Sequence, residues 1–331
     1  STRRRIACTQ SRRSSLPPSA DESAPLAVVA LGGNALLQRG EALTAVNQLR
    51  AARGAAEVLA TVSRRTRLVI THGNGPQVGL LALKEDAFTE SPPYPLDVLD
   101  AESEGQIGYV IELELDNAID HQDTVAVLTR VEVDAADPAF KSPSKFIGPV
   151  YDEDTARRLA GERGWEVRPD GDRWRRVVAS PQPRRIVQLG AIRRLVDAGF
   201  LVVCAGGGGV PVVVAEGRHE GVEAVIDKDL ASALLAQELG ADVLVLATDV
   251  DAVYADWGTP EQRAIRRAQP SWLREHSFAA GSMGPKGEAA CRFAEAAGGR
   301  AAIGSLADVA ALLAGDFGTQ VERVGDELQW A

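Results

Sequence analysis

Three glycine-rich stretches carry most of the chemical information in this chain: Gly32-Gly33-Asn34, Gly73-Asn74-Gly75 and the four glycines at 206–209. Each follows a short apolar run and leads towards a helical stretch. Glycines at such a place leave backbone N–H groups free to face an anion, and the following helix adds its positive N-terminal end. One loop of this kind means little in an α/β protein, whereas three point to a phosphorylated ligand. Yet no lysine follows the glycines of "LAVVALGGNALLQRGE" (26–41), so the phosphate loop G-x-x-x-x-G-K-[ST] is absent. The dinucleotide fingerprint G-x-G-x-x-G fails too, because Pro211 stands where its last glycine belongs. A Walker-type NTPase and a Rossmann dehydrogenase are therefore disfavoured, and the positive charge must come from elsewhere.

Its source is narrowed by lysine usage. Of 36 basic residues, 31 are arginine and five are lysine: Lys84, Lys141, Lys145, Lys228 and Lys286. A chain that writes arginine almost everywhere keeps lysine where a compact ammonium serves better than a planar fork. The net charge of −10 argues against nucleic acid or an anionic membrane as partner, so an anion must meet a local cluster. "VEAVIDKDLAS" (222–232) places Lys228 between Asp227 and Asp229 just before a helix. An aspartate there caps the helix, but a lysine at the positive end is unfavourable unless it has a task. Lys228 aimed at a phosphate, with Asp229 orienting it, supplies one. "GSMGPKGEAA" (281–290) repeats the arrangement with Lys286. "TDVDAVY" (248–254) reads as a turn lining a nucleotide pocket more readily than as a metal pair, and no metal ligands are assigned. His72 has no serine or cysteine nucleophile motif beside it and is read as a hydrogen-bonded structural residue.

The elements that must position these residues alternate between strand and helix. Apolar runs predict strands at 26–31, 67–71, 124–129, 200–205, 242–247 and 300–304, and a last short strand near 319–324. Helices are expected at 41–62, 97–117, 184–198, 228–239, 283–297 and 306–314. Short all-apolar strands between helices imply a parallel sheet covered on both faces. Residues 131–183, rich in charge, proline and tryptophan, break the rhythm and read as an inserted subdomain with hairpins as its expected elements. Residues 1–25, arginine-, serine- and proline-rich without an apolar core, are expected to be a disordered extension. Cys8, Cys204 and Cys291 lie far apart, which disfavours structural zinc or a disulfide framework. With no apolar run near the ~20 residues a bilayer span needs, a cytoplasmic setting is expected.

Taken in order, "ALGGNALLQRGE", "THGNGPQVG", "PLDVLDAESEGQIGY", "VDAADPAFKSPSKFIGPVY", "ASPQPRRIV", "CAGGGGVPV", "GVEAVIDKDLAS", "TDVDAVY" and "FAAGSMGPKGEAA" resemble the carbamate kinases, within the amino acid kinase family. The resemblance implies an open αβα sandwich with a mainly parallel sheet, a kinase domain over 26–324 and homodimers. Within that domain it implies a carbamoyl phosphate side at 26–130, the protruding subdomain at 131–183 and a nucleotide side at 184–324. The implied reaction is ADP + carbamoyl phosphate ⇌ ATP + carbamate, with Mg2+ carried by the nucleotide and no organic cofactor. Arginine catabolism is the usual setting. By resemblance, Lys145, Lys228, Asp229 and Lys286 are the catalytic set, with Lys145 a mobile clamp reaching from the subdomain. Gly32, Gly33, Asn34, Gly73, Asn74, Gly75, Gly207 and Gly208 would bind substrate. Thr248, Asp249, Val250, Tyr254 and Met283, with Lys228 and Lys286, would hold the nucleotide.

Five positions depart from the family pattern: Val46, Arg130, Phe146, Gln188 and Gly287. Phe146 stands beside Lys145 and Gly287 beside Lys286, the two that bear on lysine placement. The alternatives to a carbamate kinase are a kinase of the same fold acting on another small acid, such as acetylglutamate, and a nucleotide-binding homologue without turnover.

Overall fold

Every residue of the strand Leu26–Leu31 is buried, as its unbroken apolar sequence requires of a strand covered on both faces. The computed structural model describes residues 23–33, 41–87, 92–276, 283–325 and 327–331. Asn34 and most of the arginine-rich start, residues 1–22, lie outside them. The first part of the chain runs β1 (Leu26–Leu31), α1 (Ala45–Ala60), β2 (Arg67–His72), α2 (Gly75–Ala87), α3 (Leu96–Ala118) and β3 (Thr124–Val127). There follow β4 (Arg130–Glu132), β5 (Lys145–Tyr151), α4 (Glu153–Arg163), β6 (Glu166–Asp170), β7 (Arg173–Val178) and β8 (Arg185–Ile186). Next come α5 (Leu189–Asp197), β9 (Leu201–Cys204), β10 (Val210–Ala215), β11 (Arg218–Gly221), α6 (Lys228–Leu239) and β12 (Val243–Thr248). The chain closes with β13 (Val253–Ala255), β14 (Arg263–Ala268), α7 (Pro270–Glu275), α8 (Met283–Ala297), β15 (Arg300–Ser305), α9 (Val309–Ala314), β16 (Thr319–Val321) and β17 (Leu328–Trp330).

The main sheet has the order β13-β14-β16-β15-β12-β1-β2-β9-β3, with β17 added to β14. Six consecutive strands, β15 to the edge strand β3, are all parallel. Side chains alternate between two faces along each strand. Val28 and Ala30 of β1 enter one core with Val202, Leu244 and Phe293, under α6 and α8. Ala27, Val29 and Leu31 enter the other with Leu59, Ile111 and Leu115, under α1 and α3. The expectation of a doubly covered, mainly parallel sheet therefore holds. In such a sheet the loops at the carboxyl ends of the strands open onto one crevice.

Two smaller sheets stand beside the main one. β5, β7 and β6 form an antiparallel sheet with α4 packed against it. The order β11-β10-β4-β8 makes a four-stranded sheet. The region 131–183 thus contains a helix as well as hairpins: Asp152 caps α4 by accepting the Thr155 N–H, and Gly164 ends it at φ +67°. The helix expected from residue 184 starts only at Leu189, because Arg185–Ile186 pairs with β4. Strands β10, β11, β13 and β14 were not anticipated and helix α2 was given no range; the 206–209 loop leads into β10, not into the helical stretch expected after it. Each of these elements is short or carries glycine, proline or charge within the period, which hides it from an apolar pattern.

Gly54 sits exposed in the interior of α1, where an added Cβ would meet nothing within 4 Å. Gly54→Ala is therefore expected to stabilise the protein by about 0.5–1 kcal/mol, seen as a higher urea midpoint with an unchanged slope.

Candidate active site

At the carboxyl ends of β1, β2 and β9 the three glycine loops meet in one cleft of about 210 Å³. Gly33, Gly73, Asn74, Gly75 and Gly207 line it. So do Lys145, Lys228, Asp229 and Lys286. The first turns of α2, α6 and α8 supply part of the wall through Gln77, Lys228 and Pro285. Three positive helix ends and three ammonium groups thus face one space. Asp227 and Asp229 are the carboxylates of that lining, so the cleft keeps a net positive charge in a chain of net charge −10. Such a site attracts an anion against the overall field.

Asp229 organises the inner lysines. Lys228 Nζ donates to Asp229 Oδ1 at 2.5 Å and Lys286 Nζ to Oδ2 at 3.2 Å. Asp229 and Lys286 are buried. Burial alone would raise the Asp229 pKa, but Lys228 and Lys286 outweigh it and hold the carboxyl below its usual range. Burial lowers the Lys228 pKa against the pull of Asp229, and Lys286 lowers it further. Asp227 caps α6 through the N–H groups of Asp229 at 3.0 Å and Leu230 at 3.3 Å. Its other oxygen accepts from Lys145 Nζ at 2.6 Å, so the start of β5 leans on the cap of α6.

Beneath the lysines the loops nest by close approach. A Cβ on Gly32 would lie 2.7 Å from the Ala247 carbonyl oxygen, so only glycine lets β1 end against β12. A Cβ on Gly207 would strike the Asn74 amide at 2.3 Å, and one on Gly208 the Ile226 carbonyl oxygen at 2.6 Å. Asn74 is fixed by donating to Asp100 Oδ1 and Ser103 Oγ, both at 2.8 Å. Burial pushes the Asp100 carboxyl well above the carboxylate range, the Asn74 bond opposing it. Burial likewise pushes Glu104 up to about 8, although it accepts from the Thr129 and Gly206 N–H groups. Crowding of this kind, against backbone at Gly32 and Gly208 and against the fixed Asn74 amide at Gly207, makes these glycines obligatory.

The other sequence-selected residues among those described lie outside the cleft lining. Gly32 and Gly208 sit one position from residues that line it. Thr248 ends β12, its hydroxyl donating to Asp249 at 3.2 Å. Tyr254 donates to Asp251 at 2.8 Å and packs edge-on against Trp257, and Met283 opens α8. Thr248, Asp249, Val250 and Tyr254 thus lie at and after the end of β12 and Met283 at the head of α8, none of them in the lining of the lysine cleft. Of the departures, Arg130 and Gln188 meet each other, since the Arg130 N–H donates to Gln188 Oε1 at 2.8 Å, and Val46 is exposed on α1.

A model of the amino acid kinase family matches residues 25–305. The chain belongs to the amino acid kinase family. It is 52% identical over 307 residues to a carbamate kinase of Rhizobium meliloti (strain 1021), covering 92% of this chain and 95% of that protein. It is 54% identical over 292 residues to the Escherichia coli (strain K12) carbamate kinase, covering 88% and 97%. Among solved structures, the Giardia lamblia carbamate kinase bound to AMP-PNP superposes with a TM-score of 0.83 at 38% identity, covering 91% and 99%.

For an amino acid kinase fold, Asp100, Ser103 and Glu104 are the residues that sequence reasoning passed over. Their signal was present: on α3 they interrupt an apolar stripe of Leu96, Leu99, Ile107 and Ile111, all buried. Polar groups on a buried helical face must have partners, and here those partners are Asn74 and the 206–209 loop. His72 is fully buried behind the same loop. Its Nδ1–H donates to the Gly73 carbonyl at 3.2 Å, while Nε2 has no partner among the described residues. Burial, with Lys228 nearby, depresses its pKa from 6.5 to about 4. A neutral His72 therefore contributes stability above pH 6.5 that is lost as pH falls towards 4, roughly 3 kcal/mol in all. His72→Asn keeps a donor for Gly73 and should flatten the stability profile across that window, measured by urea unfolding at several pH values.

Proposed function

We propose that the protein is a carbamate kinase, transferring the phosphoryl group of carbamoyl phosphate to ADP and, in reverse, from ATP to carbamate. The observation that carries the reading is the Lys145–Lys228–Lys286 cluster at the meeting of three helix N-termini, in a chain aligned along most of its length with carbamate kinases. The transferred group moves between a carboxyl oxygen of carbamate and a terminal oxygen of the ADP β-phosphate. Both are anionic acceptors, so no proton has to be removed and no general base is needed. What the protein must do is hold two anions in line and offset charge on the group in flight.

In this reading the Gly32-Gly33-Asn34 and Gly73-Asn74-Gly75 loops hold carbamoyl phosphate with backbone and amide donors, and Gly207 and Gly208 close the floor. Lys228 and Lys286 contact the transferring phosphoryl group, and Asp229 fixes both ammoniums. Lys145 exchanges its partner Asp227 for the phosphoryl oxygens when substrate arrives. Thr248, Asp249, Val250, Tyr254 and Met283 line the nucleotide side. Mg2+ enters with the nucleotide, whose phosphates hold it, since both cleft carboxylates are already engaged by ammonium groups. Arginine catabolism in the cytoplasm is the setting this reading carries.

Homodimer formation belongs to the same proposal. β3 ends the main sheet, and its outer edge has no partner strand among the described residues. Beside it Tyr109, Leu113 and Leu128 are exposed, the first two one turn apart on α3. An apolar patch next to a free strand edge suits a second copy of the chain. Tyr109→Glu is expected to convert a dimer to a monomer in light scattering; an unchanged mass for both proteins would remove this surface from consideration.

Coupled formation of ATP from ADP and carbamoyl phosphate, with acetyl phosphate as the comparison donor, tests the activity directly. Lys228→Ala is expected to lower kcat by on the order of a hundredfold or more while the far-UV spectrum stays unchanged. Wild-type turnover in that variant would refute the lysine mechanism.

A further inference from the structure

Lys145 stands on the small β5-β7-β6 sheet, whereas Lys228, Asp229 and Lys286 stand on the main body. Something must fix the distance between the two. Ala179, just after β7, bridges to Ala224, and a closer contact lies one turn along α2, beyond the residues that line the cleft. Gly79 of α2 faces Gly148 of β5 so closely that a Cβ on Gly79 would lie 2.0 Å from both Gly148 Cα and Gly148 N. Those are backbone atoms and cannot rotate aside. β5 is shaped for the contact: its pairing with β7 shifts register between Ile147 and Val150, and Gly148 sits at φ +70°, a conformation that favours glycine. Arg175 on β7 donates to the Gly148 carbonyl at 2.7 Å, locking the bulge. Ile147, the residue before it, is buried against Val78 and Ala82 of α2.

We infer that Gly79 is a positioning residue for phosphoryl transfer: through Gly148 it sets the seat of β5 on α2, and hence the reach of Lys145 into the cleft. α2 suits this part because its first turn, at Gly75 and Gln77, lines the cleft itself. Lys145 is three residues from Gly148 on the same strand and makes its ion pair with Asp227 at the head of α6. A Cβ at position 79 must push β5 outward by about an ångström or more before it clears Gly148. Displacements of about an ångström in a catalytic group can cost on the order of a hundredfold in rate. The inference rests on the reading of Lys145 as a phosphoryl contact, and the experiment separates the two.

Gly79→Ala, Lys145→Ala and the double variant are compared with wild type in the ATP-forming assay. Wild type and Gly79→Ala are also treated briefly with trinitrobenzenesulfonate, and modification of Lys145 relative to Lys141 is read by peptide mass spectrometry. Gly79→Ala is expected to lower kcat on the order of a hundredfold, with little further loss when added to Lys145→Ala, and to raise the Lys145 labelling ratio severalfold as the ion pair opens. Wild-type kcat and labelling in a folded Gly79→Ala protein, or losses that multiply in the double variant, would overturn the inference. Should wild type form no ATP, the carbamoyl phosphate reading fails, and the labelling ratio alone decides the role of Gly79. Where Gly79→Ala does not fold, Arg175→Ala loosens the same bulge: a raised Lys145 ratio supports the inference and an unchanged one refutes it.

Discussion

Asp229 is the group on which the cleft depends. Two ammonium groups brought into a poorly solvated pocket repel by on the order of a few kcal/mol at an effective dielectric of about 20, and a carboxylate between them reverses the sign. Lys228 and Lys286 each take one oxygen of Asp229, so each ammonium has a carboxylate partner inside the cleft. Loss of that carboxylate would leave two uncompensated buried cations, a change on the order of 3–5 kcal/mol. The geometry follows from two helices. α6 delivers Lys228 and Asp229 in its first turn, α8 delivers Lys286, and the two helices lie over one face of the sheet around Phe293.

Around this ion cluster the loops approach one another at backbone distance. His72, Asn74 and Glu104 fill the places where Gly206 and Gly207 would carry side chains. The consequence is a floor tied together by polar groups, Asn74 with Asp100 and Ser103, Glu104 with the backbone of Thr129 and Gly206, with His72 Nε2 and Asp100 Oδ2 left unpartnered among the described residues. Donors held this rigidly need no reorganisation when an anion arrives, which is the condition for electrostatic catalysis. Glycine's role here is steric before it is conformational.

Fold class was legible because most strands of the parallel core are buried and written as short, mainly apolar runs, and because helices such as 228–239 and 283–297 have capping or turn residues at their starts. The rare lysines were legible by contrast with the arginines around them. What stayed hidden has physical reasons. β10, β14 and α2 carry charge, proline or glycine inside their period and take their stability from neighbours, not from their own pattern. The contact between Gly79 and Gly148 joins residues 69 positions apart, and nothing local distinguishes those glycines from turn glycines. Asp100, Ser103 and Glu104 were visible as polar breaks in an apolar stripe, but their partners on two other loops were not.

The three lysines divide into a fixed pair and an exchangeable one. Lys228 and Lys286 are held beneath the cleft by a carboxylate whose two oxygens are both used, so an incoming phosphate adds to their contacts without dissolving the cluster. Lys145 is more exposed, and its partner Asp227 is already occupied as the cap of α6. When Lys145 leaves, Asp227 keeps two N–H donors and is not stranded as an unpaired buried charge. The cost of moving the outer ammonium onto a substrate is therefore small, and that of moving the inner two is large. The fold thus combines a preorganised floor with one cation whose ion pair is cheap to exchange, which under the proposed mechanism is what lets it follow the phosphoryl group from its seat on β5.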